Sequence, residues 1–429
     1  LSLNGVRWSA RSMASFLTLD DVQLSGRTVL VRVDVNSPLN PVTGEFLDDA
    51  RLQAVLPTLR RLADAKVVLL AHQSRPGKKD FTSMERHAIL LGRLLGREIR
   101  FVPDVCGAEA ITNIENMSQG EMIFLDNVRG HADEIGRRTA TPEELAESEI
   151  VRELSRVADA YVCDAFAAAH RNSPTLSGFG AALPCIAGVL MQRELEVLGS
   201  VIDSPLRPQT IILGGVKVDD SLDIAQHLLK RGVVDTFVPV GAVGNLMLMA
   251  AGHNLGTVNS GFLEKALGAA FGPTLELAKT LLADHADRIL LPIDLGVERD
   301  GQRVPISVED LPTTAPIYDI GIETLMLIRP KIMQVGCVLW NGPASYFEKP
   351  EFAFGTVEIL NSCCESPARV IIGGGHTGAI VSQRGVAHLL DHNSTGGGSC
   401  LTFLAGKRMP AVEALQRSHE LFRPDLSRR

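Results

Sequence analysis

Short runs that are apolar on both faces give way, again and again, to stretches with apolar residues on one helical face only, and this alternation runs the length of the chain. The runs Thr28–Val33, Lys66–Ala71, Met122–Leu125, Ala160–Cys163, Thr210–Leu213, Thr236–Val240, Arg288–Pro292, Gly336–Trp340 and Arg369–Ile372 predict parallel strands. Such strands are covered on both sides and so need no polar face. Between the first two, Arg51–Ala63 places Leu52, Val55, Leu56, Leu59 and Leu62 on one helical face, with Pro57 predicting a kink. Helical patterns recur at Pro142–Val157, Asp219–Leu229, Pro273–Leu282 and Ile322–Ile328. The alternation implies an α/β fold of open parallel sheets covered by helices. A chain of 429 residues is too long for one such sheet. Two Rossmann-like parallel-sheet domains facing each other across a hinged cleft are therefore expected, at 16–190 and 209–404. The joint falls at 191–208, where a helical stretch runs into Asp203-Ser204-Pro205-Leu206-Arg207-Pro208. Residues 1–15 read as an N-terminal extension expected to be disordered: they lack the apolar core of a signal peptide, and Met13 offers an alternative start. Residues 405–429 form a final segment.

Composition narrows the function classes. A hydrophobic fraction of 45% with 21% charged residues describes a globular chain rather than a disordered one. The net charge of -8 argues against general polyanion binding, while a local basic pocket for a small anion stays open. The 7 cysteines are scattered without a Cys-x-x-Cys pair, the pattern of a reducing, cytoplasmic setting rather than a disulfide framework. The apolar runs are too short to span a bilayer.

Ligands of open α/β sheets sit beyond the carboxyl ends of the strands, so the residues that follow each apolar run carry the chemistry. In the first half these are Asp34 and Asn36, Arg51 opening the next helix, His72 and Arg75 in AHQSR, Arg129 in LDNVRG, and His170 and Arg171 in AAAHR. One such arginine alone would read as a surface residue. Four arginines and two histidines at strand ends instead predict a pocket for a small, doubly anionic ligand, because the planar guanidinium grips carboxylate and phosphate in two places. The second half offers glycines: Gly214-Gly215-Val216-Lys217, Gly373-Gly374-Gly375-His376-Thr377 and Gly396-Gly397-Gly398. Glycine lets backbone amides approach phosphate, and a following helix adds its dipole. Neither a Walker A loop nor GxGxxG occurs. An acid site in one half and a phosphate site in the other predict a transferase.

These motifs also resemble a known family. RVDVNSPLN, DDARLQAVLPTL, AHQSRPGKKDF, LDNVRG, CDAFAAAHR, ILGGVKVDDS, VLWNGPASYFE, FAFGT, GGGHTGA and STGGGSCLTFLAGKRMPAVEAL resemble, in order, the signatures of phosphoglycerate kinases. AHQSRPGKKDF, KVDDS and GGGH resemble the archaeal-type branch. The resemblance implies reversible phosphoryl transfer between 1,3-bisphosphoglycerate with ADP and 3-phosphoglycerate with ATP, in glycolysis and gluconeogenesis. It implies that Asp34, Val35, Asn36, Arg51, His72, Gln73, Ser74, Arg75, Arg129 and Arg171 bind 3-phosphoglycerate. Gly214, Gly215, Lys217, Asn341, Glu348, Gly374, Gly375, His376 and Thr377 are implied at the nucleotide, with Glu348 on the ribose. Arg51, Lys217, Gly374 and Gly397 are implied in catalysis, and 405–429 is implied to pack back on the first domain.

The implied cofactor is Mg²⁺ with ATP or ADP. His376 stands where many members carry Asp, and histidine is a poor ligand for so hard an ion, so the metal is expected to be held mainly by the nucleotide. Ser221 occupies the position of a common second lysine, and Cys163 that of an Asn. Val35 and Ser37 also depart from the family pattern, with packing effects alone expected. A cytoplasmic monomer that binds neither nucleic acid nor membrane is the corresponding expectation. The alternatives are a catalytically weak paralogue acting as a binding protein, a two-lobed solute-binding module and a dinucleotide-dependent dehydrogenase. The complete arginine set, the glycine loops and the missing GxGxxG weigh against them in turn.

Overall fold

The computed structural model describes residues 16–40 and 43–426; residues 1–15, read above as a disordered extension, lie outside the described residues. The chain forms two compact units. The first runs to Glu196 and resumes at Arg408, and the second is Val197–Lys407. Among the described residues no helix is long and apolar enough to cross a membrane.

The first unit is built on a seven-stranded parallel sheet. Its strands are β1 (Leu17–Thr18), β2 (Thr28–Val33), β3 (Lys66–Leu70), β4 (Arg100–Val102), β5 (Met122–Leu125), β6 (Ala160–Asp164) and β7 (Cys185–Ala187), in spatial order β1-β7-β6-β2-β3-β5-β4. Strand succession reverses between β2 and β6, the crevice at which open sheets bind ligands. Val29, Val31 and Val33 of β2 and Val67 and Leu69 of β3 are fully buried against Leu52, Val55 and Leu59, each worth roughly 1.5–3 kcal/mol of burial. The helix expected over Arg51–Ala63 is two helices, Ala50–Ala54 and Leu56–Arg61. The break precedes Pro57 because proline lacks the amide that a helix interior needs and fits best in the first turn. Pro142–Val157 likewise divides into Pro142–Ala146 and Glu149–Ser155. The helix Pro410–Leu426 belongs to this unit, held by Ala411 N–H to Ala169 O, by Ser418 Oγ accepting from Cys185 N–H, and by an Arg417–Glu143 ion pair.

The second unit has a five-stranded parallel sheet of β8 (Gln209–Leu213), β9 (Thr236–Pro239), β13 (Cys337–Asn341), β14 (Arg369–Gly373) and β15 (His392–Asn393), ordered β15-β14-β13-β8-β9. Its reversal falls between β8 and β13. It also carries an antiparallel sheet of β10 (Asp294–Arg299), β11 (Gln302–Ser307) and β12 (Ile317–Ile320), which the expectation of parallel sheets alone did not include. Asp300 and Gly301 both have positive φ and close the β10–β11 hairpin, the conformation that a two-residue Asp-Gly turn favours. The strand expected at Arg288–Pro292 does not form. Ala286–Arg288 is a 3₁₀ turn, and Ile289 makes a single bridge to Phe237.

Candidate active site

Asp34 and Asn36 follow β2, His72 to Arg75 follow β3, Arg129 follows β5, and His170 and Arg171 follow β6. Because these strands are parallel neighbours, all of these residues emerge from one edge of the first sheet. Asp34 is buried, with Arg51 Nη1 2.9 Å from its Oδ1. Burial alone would raise this carboxyl, but Arg51, then His72, Arg32 and the Asn36 amide outweigh it and hold it at about 2. Asn36 Oδ1 accepts from Ser74 N–H at 2.8 Å, and Ser74 O accepts from Arg129. Ser74 has φ +58°, a left-handed conformation that a non-glycine residue keeps only where its surroundings enforce it. Asn127 supplies part of that enforcement by donating to Gln73 O at 2.9 Å and Thr82 O at 2.8 Å. Burial, then repulsion from Arg171 and Arg32, pulls the Arg129 guanidinium down to about 10. Arg75 is exposed, and its charge is felt at Arg171. The cluster is thus short of negative charge, the electrostatic signature of an anion site.

Two expected ligand residues are placed otherwise. Val35 is a core residue with no exposure, and its side chain is buried among apolar neighbours. Gln73 is also wholly buried. It donates to Ser37 O and shares a hydrogen bond with His87, so its side chain holds the loop from beneath. Arg32 went unnoticed in the sequence because it lies inside β2, yet it is buried and reaches His72 Nδ1 at 2.8 Å. A charge flanked by apolar residues within a two-sided strand requires a buried partner, and that was the available signal.

In the second unit, Gly214 N–H donates to Asn341 O and Gly215 N–H to Pro343 O, joining β8 and β13 at the strand reversal. Lys217 is exposed at the start of the helix Val218–Lys230. Gly374, with φ +85°, precedes the helix Gly375–Gln383, and Gly397, with φ +49°, precedes Gly398–Leu404. A Cβ at Gly374 would collide with Asn341 Oδ1, so the turn needs glycine for space as well as for φ. Thr377 is buried and accepts from Gly342 N–H through Oγ1 at 2.8 Å, bracing two loops together. Gly215, Glu348 and His376 line a cavity of about 520 Å³ whose apolar walls include Val216, Phe262, Leu295 and Tyr318. Its size and lining suit a flat heteroaromatic group. Asp319 also lines it; burial pushes its carboxyl up to about 7 despite the Arg303 partner at 3.1 Å.

An arginine-rich cluster on one unit and glycine-fronted helices beside an apolar cavity on the other fit the charge neutralisation and phosphate binding that phosphoryl transfer needs. The phosphoglycerate kinase family model matches residues 19–407. The chain belongs to the phosphoglycerate kinase family. It is 42% identical over 410 residues to the phosphoglycerate kinase of Methanothermus fervidus, covering 95% of this chain and 98% of that one. It is also 42% identical to the phosphoglycerate kinase of Methanothermobacter thermautotrophicus, covering 94% and 97%. The crystal structure of the Pyrococcus horikoshii enzyme superposes with a TM-score of 0.85 at 37% identity, covering 95% of this chain and all of that one. Phosphoglycerate kinases are phosphotransferases with a carboxyl group as acceptor.

Within this family frame the departures take physical form. Ser221 is buried in the helix Val218–Lys230, and contributes no charge where a second lysine is common. Cys163 is buried in β6, and burial pushes its thiol up to about 11, so it is chemically quiet. Among the described residues no three His, Cys, Asp or Glu side chains gather as a metal site. The Gly374–Thr377 loop offers amides, an imidazole and a hydroxyl, a set that does not fit an oxygen-seeking octahedral ion.

Proposed function

We propose that this chain is a working phosphoglycerate kinase that uses the strand-end cluster of the first unit for 3-phosphoglycerate and the glycine-fronted helices and cavity of the second for the nucleotide. The observation that carries this reading is the convergence of Asp34, Arg51, His72, Arg129 and Arg171 on one sheet edge. In that reading, Arg129 and Arg171 neutralise the phosphate and carboxylate, and Asn36 fixes the loop that presents them. The cavity takes the adenosine, with Glu348 toward the ribose. Lys217 and the amides at Gly374, Gly375 and Gly397 face the phosphates, and Gly214, Gly215, Asn341 and Thr377 shape the loops around them.

Direct transfer forms a bond between the C1 carboxylate oxygen and the γ-phosphorus while the bond to the β-phosphate oxygen breaks. The acceptor carboxylate is ionised at neutral pH, so no general base is required. Arg51 and Lys217 would share the charge of the migrating group, the main task a protein has in such a transfer. Reacting atoms must come within about 3–3.5 Å, which makes domain closure, with exclusion of water, part of the proposal. Magnesium is assigned to nucleotide oxygens and water, and no step is given to a metal held by protein side chains. The 7 free thiols support a cytoplasmic location, and a monomer without nucleic-acid or membrane partners completes the reading. The test is a coupled assay of the purified chain with ATP, Mg²⁺ and 3-phosphoglycerate, following acyl phosphate formation. A folded chain that binds both substrates and yields no acyl phosphate would sink it.

A further inference from the structure

Three buried side chains have no part in the transfer itself yet form one connected line behind the acid pocket. Glu134 accepts from Ser173 Oγ at 2.7 Å, Thr175 Oγ1 at 2.7 Å and Thr175 N–H at 3.0 Å. With its proton committed to Glu134, the Thr175 hydroxyl presents a lone pair to Arg32 Nε at 3.0 Å. Arg32 Nη1 donates to Val33 O, and Nη2 lies 2.8 Å from His72 Nδ1. We propose that Arg32, anchored through Thr175 on Glu134, is a positioning residue that fixes His72 as the neutral imidazole with its proton on Nε2, so that His72 serves the acid substrate as a hydrogen-bond donor that does not titrate.

Donor and acceptor counts decide the tautomer. Arginine has five N–H donors and no acceptor, so any hydrogen bond it makes to His72 must end on an unprotonated ring nitrogen. His72 meets a guanidinium on each side: Arg32 at Nδ1, 2.8 Å, and Arg171 Nη1 at Nε2, 3.4 Å. A neutral imidazole has one accepting nitrogen. Were it Nε2, two N–H donors would face each other across 2.8 Å on the other side, well inside the contact that two donors tolerate. Nδ1 is therefore the acceptor and Nε2 carries the proton. On the Arg171 side two donors then lie 3.4 Å apart, an arrangement complementary to one anionic oxygen that accepts from both.

Burial and the three guanidinium groups around the ring also favour the neutral form. Burial holds His72 well below the ordinary histidine range, Arg32 adds to that, Asp34 opposes it, and Arg129 and Arg171 add further. Arg32 cannot swing away to relieve the contact, because its Nε and Nη1 are already held by Thr175 and Val33. This assignment rests on the acid-binding reading above, but its test does not.

The tautomer is read from ¹⁵N–¹H correlation spectra of the histidine-labelled full chain without substrate, with the His72 signal assigned by its loss in His72→Gln. The expected result is the Nε2–H pattern held from about pH 8 down to about pH 5, across the interval where an ordinary histidine titrates. A proton on Nδ1, or an imidazolium near neutral pH, would overturn the proposal whether or not the chain proves active. In Arg32→Met, His72 should titrate inside that interval, and KM for 3-phosphoglycerate should fall by up to roughly tenfold per pH unit as pH drops toward the new midpoint and level off below it, while the nucleotide KM stays flat. A folded Arg32→Met chain whose His72 still does not titrate would also overturn it. If that variant does not fold, the wild-type spectrum decides alone.

Discussion

Replacing Arg51 by Met tests the acid site through its charge rather than through its contacts. Arg51 Nη1 lies 2.9 Å from Asp34 Oδ1, with Asp34 only 6% exposed and Arg51 35%. Asp34 is held at about 2 against an ordinary 3.8, even though burial pushes the other way. A depression of nearly two units corresponds to about 2.5 kcal/mol of preference for the ionised carboxyl in the folded state. A group whose folded pKa is depressed stabilises the fold above its unfolded pKa, and that stabilisation is lost as pH falls through the folded value. Arg51 is one of several contributors and is partly in water, so its removal should take roughly 1–2 kcal/mol at pH 7. The loss should largely vanish near pH 2, where Asp34 is already half protonated in the folded wild type. Urea unfolding of wild type and Arg51→Met at both pH values measures this directly. If the two proteins differ equally at neutral and acid pH, the electrostatic account of Asp34 is wrong. Turnover is the second readout. Losing one group that shares transition-state charge should lower kcat by about two to three decades, and near-intact turnover would remove Arg51 from the catalytic role.

Two further perturbations probe the nucleotide loop and the helix that runs across the unit boundary. Gly374→Ala places a Cβ against Asn341 Oδ1 at φ +85°, so the nucleotide KM should rise about tenfold or more, with about 1–2 kcal/mol of stability lost; calorimetry with ATP and unfolding curves report both. Asp164 is fully buried, and its Oδ1 accepts from the Leu190 and Met191 amides that open the helix Val189–Asp203. Burial raises it to about 6. A raised folded pKa gives stability below the unfolded value that is lost as pH rises through about 6. Relative to wild type, Asp164→Asn should therefore gain roughly 2–3 kcal/mol on going from pH 4 to pH 8, and a pH-independent difference in unfolding free energy would contradict the assignment.

Much of this molecule was open to inspection as a string of letters. Doubly apolar runs such as Val29–Val33 and Ile211–Leu213 can be satisfied only inside a parallel sheet, and ligand-type residues placed after them must share the edge where such strands end. Local periodicity alone therefore brings Asp34, His72, Arg129 and Arg171 to the ends of neighbouring strands and Arg51 to the start of the helix between two of them. The β10–β11 hairpin went unread: Asp300-Gly301 is a favourable turn pair, but its flanking residues mix faces too freely for periodicity to declare strands there.

Other features depended on which direction a side chain takes after the backbone is set. Val35 and Gln73 sit in the same loops as Asp34, Asn36, His72 and Ser74, yet packing turned one into the core and the other toward Ser37 and His87. The line from Glu134 through Thr175 and Arg32 to His72 joins residues 134, 175, 32 and 72. No sequence spacing encodes such a line, because each link exists only when two separate segments close to hydrogen-bond distance, and the line joins four of them. Periodicity chose the sheets and the edge where the charged residues gather; burial and donor–acceptor pairing, which exist only once separate segments meet, chose which of those side chains stay at the edge and which turn inward.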